Sequence, residues 1–120
     1  IFNLEIGSDV LESQGYPRTE IVLSGGLVKT PALGQLVADV FNTPVVILDC
    51  GSEGSGFGAA LLAAYRDRRQ AGDAASWEAF LADQAPTPAH RFTPHSAAVA
   101  TLERSFARHR RLVAVQRELG

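Results

Sequence analysis

Two glycine-bearing stretches carry the residues through which this chain could do chemistry. The first is Ser24-Gly25-Gly26-Leu27-Val28-Lys29-Thr30-Pro31, directly behind the apolar run Ile21-Val22-Leu23. Gly25 and Gly26 can take positive φ and let another backbone or a ligand come close. Thr30 has the chemistry of a helix N-cap, and Pro31 suits the first helical position, where its missing N–H costs nothing. A helix opening there would turn its positive end and free N–H groups toward the glycines, which favours an anion such as a phosphate. The same pair could also be no more than a tight strand-to-helix turn, and spacing alone does not separate the two.

The second stretch, Gly51-Ser52-Glu53-Gly54-Ser55-Gly56-Phe57-Gly58-Ala59-Ala60, follows another apolar run, Val45 to Asp49. Gly54-Ser55-Gly56-Phe57-Gly58-Ala59 satisfies the dinucleotide spacing Gly-x-Gly-x-x-Ala. Two features count against that chemistry. Gly51-Ser52-Glu53 separates the motif from its strand, and the region about twenty residues on, near Asp73 to Phe80, lacks the second strand with an acidic end. A P-loop would need Gly-Lys-Ser/Thr, and a serine-hydrolase elbow would need glycines flanking the serine at both positions; neither pattern occurs. His90, His95 and His109 are scattered without metal-ligand spacing, and they read as surface residues. Glu53 reads as a charge near a positive helix end.

The elements that must position these loops follow from periodicity. Residues 2–14 read as a helix stopped near Gly15, and residues 20–24 as a buried strand. Residues 31–41 place Leu33, Leu36, Val37, Val40 and Phe41 on one helical stripe, ended by Asn42-Thr43-Pro44. Residues 45–49 form the second strand. A helix between two strands predicts parallel pairing through a right-handed crossover. Residues 56–70 read as a helix whose small residues, Gly58 and Ala59 among them, press against a neighbour. Ser76 caps a short helix carrying Trp77, Phe80 and Leu81. The proline-bearing stretch 85–94 reads as an extended surface connection. Residues 95–119 form the last helix, with Val99, Leu102, Phe106 and Val113 on its stripe, Leu112 and Leu119 beside it, and an arginine-rich remainder that reads as a solvated face.

Composition narrows the function classes. The chain has 120 residues, 46% hydrophobic and 20% charged, which is one domain's worth with a modest core. A net charge of −2 argues against a general nucleic-acid binder. No apolar run has the length of a membrane span, and no leader pattern precedes the first helix. The single cysteine, Cys50, excludes an internal disulfide, reads as a small core residue and fits a reducing, cytoplasmic setting. A chain that starts at Ile1 and holds no methionine reads as a piece of a longer protein.

The order strand, Ser24-Gly25-Gly26, helix with Ala38-Asp39-Val40, strand, then Glu53 through Gly58-Ala59-Ala60 resembles the C-terminal lobe of the FGGY carbohydrate kinases. These belong to the actin/hexokinase/Hsp70 superfamily. The resemblance is specific from about Gly15 to Tyr65 and looser beyond; Phe92-Thr93-Pro94-His95 is similar to the family's closing segment, with His95 where that family usually has an acidic residue or Asn. It implies an α/β fold, a small parallel-strand core flanked by helices, forming part of the C-terminal lobe of a ribonuclease-H-like/actin-like ATPase. Residues 1–120 would be part of the nucleotide-binding lobe, with 71–120 a helical C-terminal extension. By resemblance, Gly25, Gly26, Leu27 and Thr30 contact the nucleotide, with Lys29 a neighbour. The implied cofactors are ATP and Mg²⁺, the metal held through ATP and the other lobe. The implied partners are the N-terminal lobe of the same enzyme, a sugar or polyol and, as a further candidate, copies of the same chain in a homo-oligomer, with neither nucleic acid nor membrane. In that family the general-base aspartate and the phosphate-binding Asp-x-Gly-Thr-type loop lie in the N-terminal lobe, so no catalytic residue is expected here. The alternative is a non-catalytic nucleotide-sensing or oligomerisation module, self-associating through an exposed apolar cleft face.

Overall fold

The structure is a computed structural model, and it describes residues 1–119. Its centre is the pair of strands β1 (Ile21–Leu23) and β2 (Val45–Leu48), parallel as expected, with Ile21 opposite Val45 and Leu23 opposite Ile47. Between them runs α2 (Pro31–Phe41), which buries Val37, Ala38, Val40 and Phe41, while Leu36 of the expected stripe is exposed. Leu23, Val37, Ala38, Val40, Phe41, Val45 and Ile47 form one buried cluster, with Phe2, Val28, Phe92 and Leu102 packed against it. Burying each of these larger side chains contributes about 1.5–3 kcal/mol. A left-handed Asn42 at φ 44° ends α2, and Thr43 donates its amide back to the Ala38 carbonyl at 3.2 Å.

The preceding helix α1 (Phe2–Ser13) stops at Gly15, which takes φ 88°. Gly15 N–H bonds the Glu12 carbonyl and Tyr16 N–H the Leu11 carbonyl, the paired closure that a glycine in this conformation permits. After β2 come α3 (Gly54–Gln70) and α4 (Trp77–Ala82). Ser76 caps α4 as expected, accepting from Ala79 N–H at 3.2 Å. Tyr65 of α3 meets Trp77 edge-on, with ring centroids 5.0 Å apart, and Phe80 at a tilt, which holds α4 on α3.

The parallel core has an addition. Residues expected to form a surface connection instead make β3 (Pro88–Phe92), antiparallel to β2, so the three-stranded sheet is mixed in the order β1-β2-β3. Proline hid this strand, yet Pro88 stands at its first position on an outer edge, where no ladder donor is lost. Asp49 fixes the start: its carboxylate accepts from Thr87 Oγ1 at 2.8 Å and Thr87 N–H at 3.3 Å. Those two bonds hold the Asp49 carboxyl below its ordinary pKa.

The last helix, α5 (Ser96–Glu118), is pinned at its N-terminus by the buried Asp39 of α2. Asp39 Oδ1 accepts from His95 N–H at 2.7 Å and from Gln35 Nε2 at 2.9 Å, while Gln35 also donates to the Thr93 carbonyl. Beside this clamp the Phe92 ring packs against Gly34, where a Cβ would overlap the ring at 2.7 Å from Cζ.

One packing expectation fails. A Cβ at Gly56 or Gly58 would meet nothing within 4 Å, Ala59 is exposed, and no residue of α3 is buried. Beyond Gly54 at its first position, the glycines of α3 therefore press on nothing among the described residues.

Gly34→Ala should lower stability by about 1–3 kcal/mol through overpacking against Phe92. Asp39→Ala should cost about 1–3 kcal/mol by orphaning the His95 amide and removing one of the two acceptors of Gln35 Nε2. Urea unfolding checks both, and the second should also speed amide exchange over the first turn of α5.

Candidate functional site

Parallel pairing delivers the C-terminal ends of β1 and β2 to the same edge, and each strand there runs into a 3₁₀ turn. Gly25–Lys29 follows β1, and Gly51–Glu53 follows β2. The two turns close on each other. A Cβ at Gly51 would come within 3.1 Å of Ile47 Cγ2 and 3.6 Å of the Leu23 carbonyl, and one at Gly54 within 3.3 Å of Ser24 Cβ. Glycine at 51 and 54 is thus set by contact within the chain.

Gly25 and Gly26 have a different explanation. Gly25 holds φ 74°, a conformation that favours glycine. Gly26, against expectation, is not in that region, so its backbone does not demand glycine. A Cβ at either position would meet nothing within 4 Å. The loop therefore turns bare backbone toward open space.

Thr30 occupies the N-cap position of α2 with Pro31 first in the helix, but its side chain makes no capping bond. The exposed hydroxyl has no partner in the helix, because an extended Thr30 at φ −120°, ψ 101° already lets its carbonyl accept from Leu33 N–H at 2.9 Å. Lys29 is exposed, and among the described residues it forms no ion pair.

Leu27 joins this turn to an apolar cleft of about 350 Å³. Ile1 just ahead of α1, Leu4 of α1, Ile21 and Leu23 of β1, and Val37 and Phe41 of α2 line it, with Ser8, Arg18 and Glu20 as the polar groups. The structure thus brings Gly25, Gly26, Leu27, Lys29 and Thr30 together on one turn, and adds the cleft wall that no local pattern announced.

Arg18 is the added residue of most chemical interest. Its side chain is only 16% exposed; Nε bonds Glu12 Oε1 at 2.8 Å and the guanidinium lies 5.1 Å over the Phe41 ring. Arg18 Nη1 is buried without a hydrogen-bond partner. Glu5 on α1 is 8% exposed with Oε2 likewise unpartnered. Burial raises the Glu5 pKa above its ordinary 4.5, outweighing the Arg18 and Arg110 charges that oppose the shift.

On the opposite sheet face, Val22, Leu48, Phe57, Leu61 and Pro86 form a second groove of about 410 Å³, reaching Ser24, Cys50 and Gly54 at the turns. Cys50 is half-buried at its wall rather than in the core. Of the histidines, His90 and His95 are exposed, whereas His109 is half-buried against Phe2 and Asn3. Among the described residues no group of three or more His, Cys, Asp or Glu side chains could hold a metal ion, and no helix is long and apolar enough to cross a membrane.

Strand, bare glycine turn, crossover helix, strand and second glycine turn match a known family over residues 1–66, more than half the chain: the FGGY family of carbohydrate kinases, C-terminal domain. The chain belongs to that family. Among solved structures, it superposes on xylulose kinase from Rhodospirillum rubrum with a TM-score of 0.70 and 23% identity, over 98% of this chain and 23% of that one. Ligand-bound xylulose kinase from Lactobacillus acidophilus gives 0.62 and 22%, over 81% of this chain and 18% of that one. Gluconate kinase from Lactobacillus acidophilus gives 0.61 and 22%, with the same coverages of 81% and 18%. At these identities the likeness establishes the fold, and this chain spans about a fifth of those kinases' length. No curated protein matches the sequence.

Because the Glu5 pKa is raised on folding, Glu5 favours the folded state most below about pH 4.5, and that contribution is lost as pH rises through its folded pKa. Glu5→Gln should therefore gain stability relative to the parent as pH increases from 4 to 7 in thermal unfolding, with little difference at the acid end.

Proposed function

We propose that this chain forms the nucleotide side of an ATP-dependent sugar or polyol kinase, with the adenosine and inner phosphates at the turn Gly25–Lys29. The observation that carries the reading is the open space at Gly26, where neither backbone conformation nor packing calls for glycine, beside an apolar cleft that begins at Leu27. A phosphate approaching bare backbone there would be favoured by the N-terminal end of α2 and by the free ammonium of Lys29. The uncommitted Thr30 hydroxyl is available to the ribose or base, and Leu27 with its cleft offers a planar base an apolar wall.

In the complete reaction a sugar hydroxyl oxygen attacks the γ-phosphorus, the bond to the β–γ bridging oxygen breaks, and the hydroxyl proton passes to a base. Such a transfer rests on positioning and charge neutralisation. Mg²⁺ supplies part of that neutralisation when bound; the donor set of this chain fits a metal carried on the phosphates better than one held by protein ligands. Base and phosphate-bridging loop would come from a separate N-terminal lobe, as would most sugar contacts. Within this chain, residues 71–119 supply the edge strand and closing helices rather than ligand contacts. The solved relatives are named for xylulose and gluconate, which supports a polyhydroxylated carbon chain as the acceptor class. The single thiol, Cys50, supports a cytoplasmic enzyme.

Calorimetric titration with Mg-ATP, and with NAD as control, tests this. Gly26→Val should leave unfolding stability within about 0.5 kcal/mol, since nothing crowds that position, while weakening Mg-ATP binding about tenfold or more. Binding that is indifferent to Gly26→Val, or NAD binding that requires Gly54 and Gly56, would contradict the assignment. The chain alone should not phosphorylate sugars; measurable turnover without another lobe would overturn the division of roles.

A further inference from the structure

The turn after β1 rests on the turn after β2. A Cβ at Gly54 would lie 3.3 Å from Ser24 Cβ and 3.5 Å from Ser24 Oγ, and Ser24 stands directly ahead of Gly25. One at Gly51 would lie 3.6 Å from the Leu23 carbonyl oxygen and 3.8 Å from Val28 Cγ1. Gly54 itself is helical at φ −51°, ψ −41°, so its backbone has no need of glycine. The seat it offers Ser24 accounts for its missing side chain. The second turn is in turn held from far along the chain. Strand β3 shifts register against β2 between Ile47 and Leu48. Just past that shift, Asp49 N–H donates to the Thr87 carbonyl at 2.9 Å, while Thr87 donates its hydroxyl at 2.8 Å and its N–H at 3.3 Å to Asp49 Oδ2. Cys50 and Gly51 follow Asp49 at once. Asp49 and Thr87 are both exposed, so these bonds bury no apolar surface and contribute little to stability. What they fix is the direction in which the chain leaves β2.

We propose that Thr87, Asp49 and Gly54 are positioning residues for the turn Gly25–Lys29. Thr87 and Asp49 set the exit of β2, the second turn follows from that exit, and bare Gly54 seats Ser24. Gly25 and Gly26 are thereby presented at one height above the sheet edge. The assignment rests on the nucleotide reading of that turn. Backbone N–H groups hold a phosphate only at the right distance and angle, and a misplacement of about 1 Å in such a site can cost about a hundredfold. A methyl group at 54 would ask Ser24 to give by a few tenths of an ångström, which costs correspondingly less. All three residues act through Ser24 rather than on the nucleotide, since the Asp49 oxygen and the Thr87 hydroxyl are bonded to each other.

Two readouts on the full chain test this: Mg-ATP affinity by calorimetry, and backbone amide shifts by NMR without nucleotide. Gly54→Ala should move the Ser24 and Gly25 resonances of the free chain and weaken Mg-ATP about fivefold. Adding Ser24→Gly removes the opposing Cβ and should return both readouts toward the parent. Thr87→Val keeps the shape and the N–H bond but loses the hydroxyl. It should shift resonances from Gly51 through Gly54 and on to Ser24, and weaken Mg-ATP about two- to threefold. Thr87→Ser, which keeps the hydroxyl, should match the parent. Thermal unfolding of each variant within about 3 °C of the parent separates a misplaced turn from a loosened fold. A Gly54→Ala chain with Ser24 and Mg-ATP binding unmoved would overturn the proposal, as would a loss that Ser24→Gly fails to rescue. A parent that binds no Mg-ATP would overturn it too. The free-chain shifts then tell the failures apart: rescued shifts without binding fault the nucleotide reading, and unrescued shifts fault the seat at Gly54.

Discussion

Everything in this fold depends on the burial of one face of α2 against a parallel strand pair. Val37, Ala38, Val40 and Phe41 close over Leu23, Val45 and Ile47, leaving little of either partner in contact with water. This apolar seam fixes the register of β1 on β2, and register fixes where each strand ends. Because the strands are parallel, both ends reach the same edge, and both chain reversals after them fall side by side. The glycine turn after β1 is thereby anchored to that core through Val28. Had the strands paired antiparallel, Gly25 and Gly51 would lie at opposite edges and no common site could form.

Around that seam the polar contacts act as locks of defined reach. Asp49 ties the entrance of β3 to the exit of β2, and Asp39 with Gln35 ties the start of α5 to the back of α2. Phe92 on Gly34 closes the same junction by shape. These contacts stiffen the side of α2 remote from the glycine turn, so the helix that opens at Thr30 is held along its length. The α1 side is less settled: Glu5 and Arg18 are each left with a buried unpartnered atom beside the apolar cleft. Such atoms cost free energy in a dry interior.

Much of this was legible in the order of residues. Three-four spacing located α2, and short unbroken apolar runs located the two parallel strands; these signals are local and strong. The glycine turns and Pro31 were visible for the same reason. β3 was not legible, because its residues are almost wholly exposed and show no alternation, and because Pro88 argues for a loop unless the strand is known to lie on an edge. The small residues of α3 suggested tight packing, but a sequence says that a helix can approach closely, not what it approaches. Arg18 and the cleft could not be read at all: they are assembled from α1, β1 and α2, and no local spacing reports that meeting. The difference between Gly26 and Gly51 was equally hidden, since only the fold reveals which glycine faces its own chain and which faces open space.

The central claim is that the bare turn after β1, and not the one after β2, is where a nucleotide sits. Amide chemical-shift mapping by NMR of the isotopically labelled chain during a Mg-ATP titration tests it most directly. The account predicts the largest changes at Gly25, Gly26 and Leu27, extending to the cleft residues of α1. Changes confined to Gly54 through Gly58, or none under millimolar Mg-ATP, would contradict it.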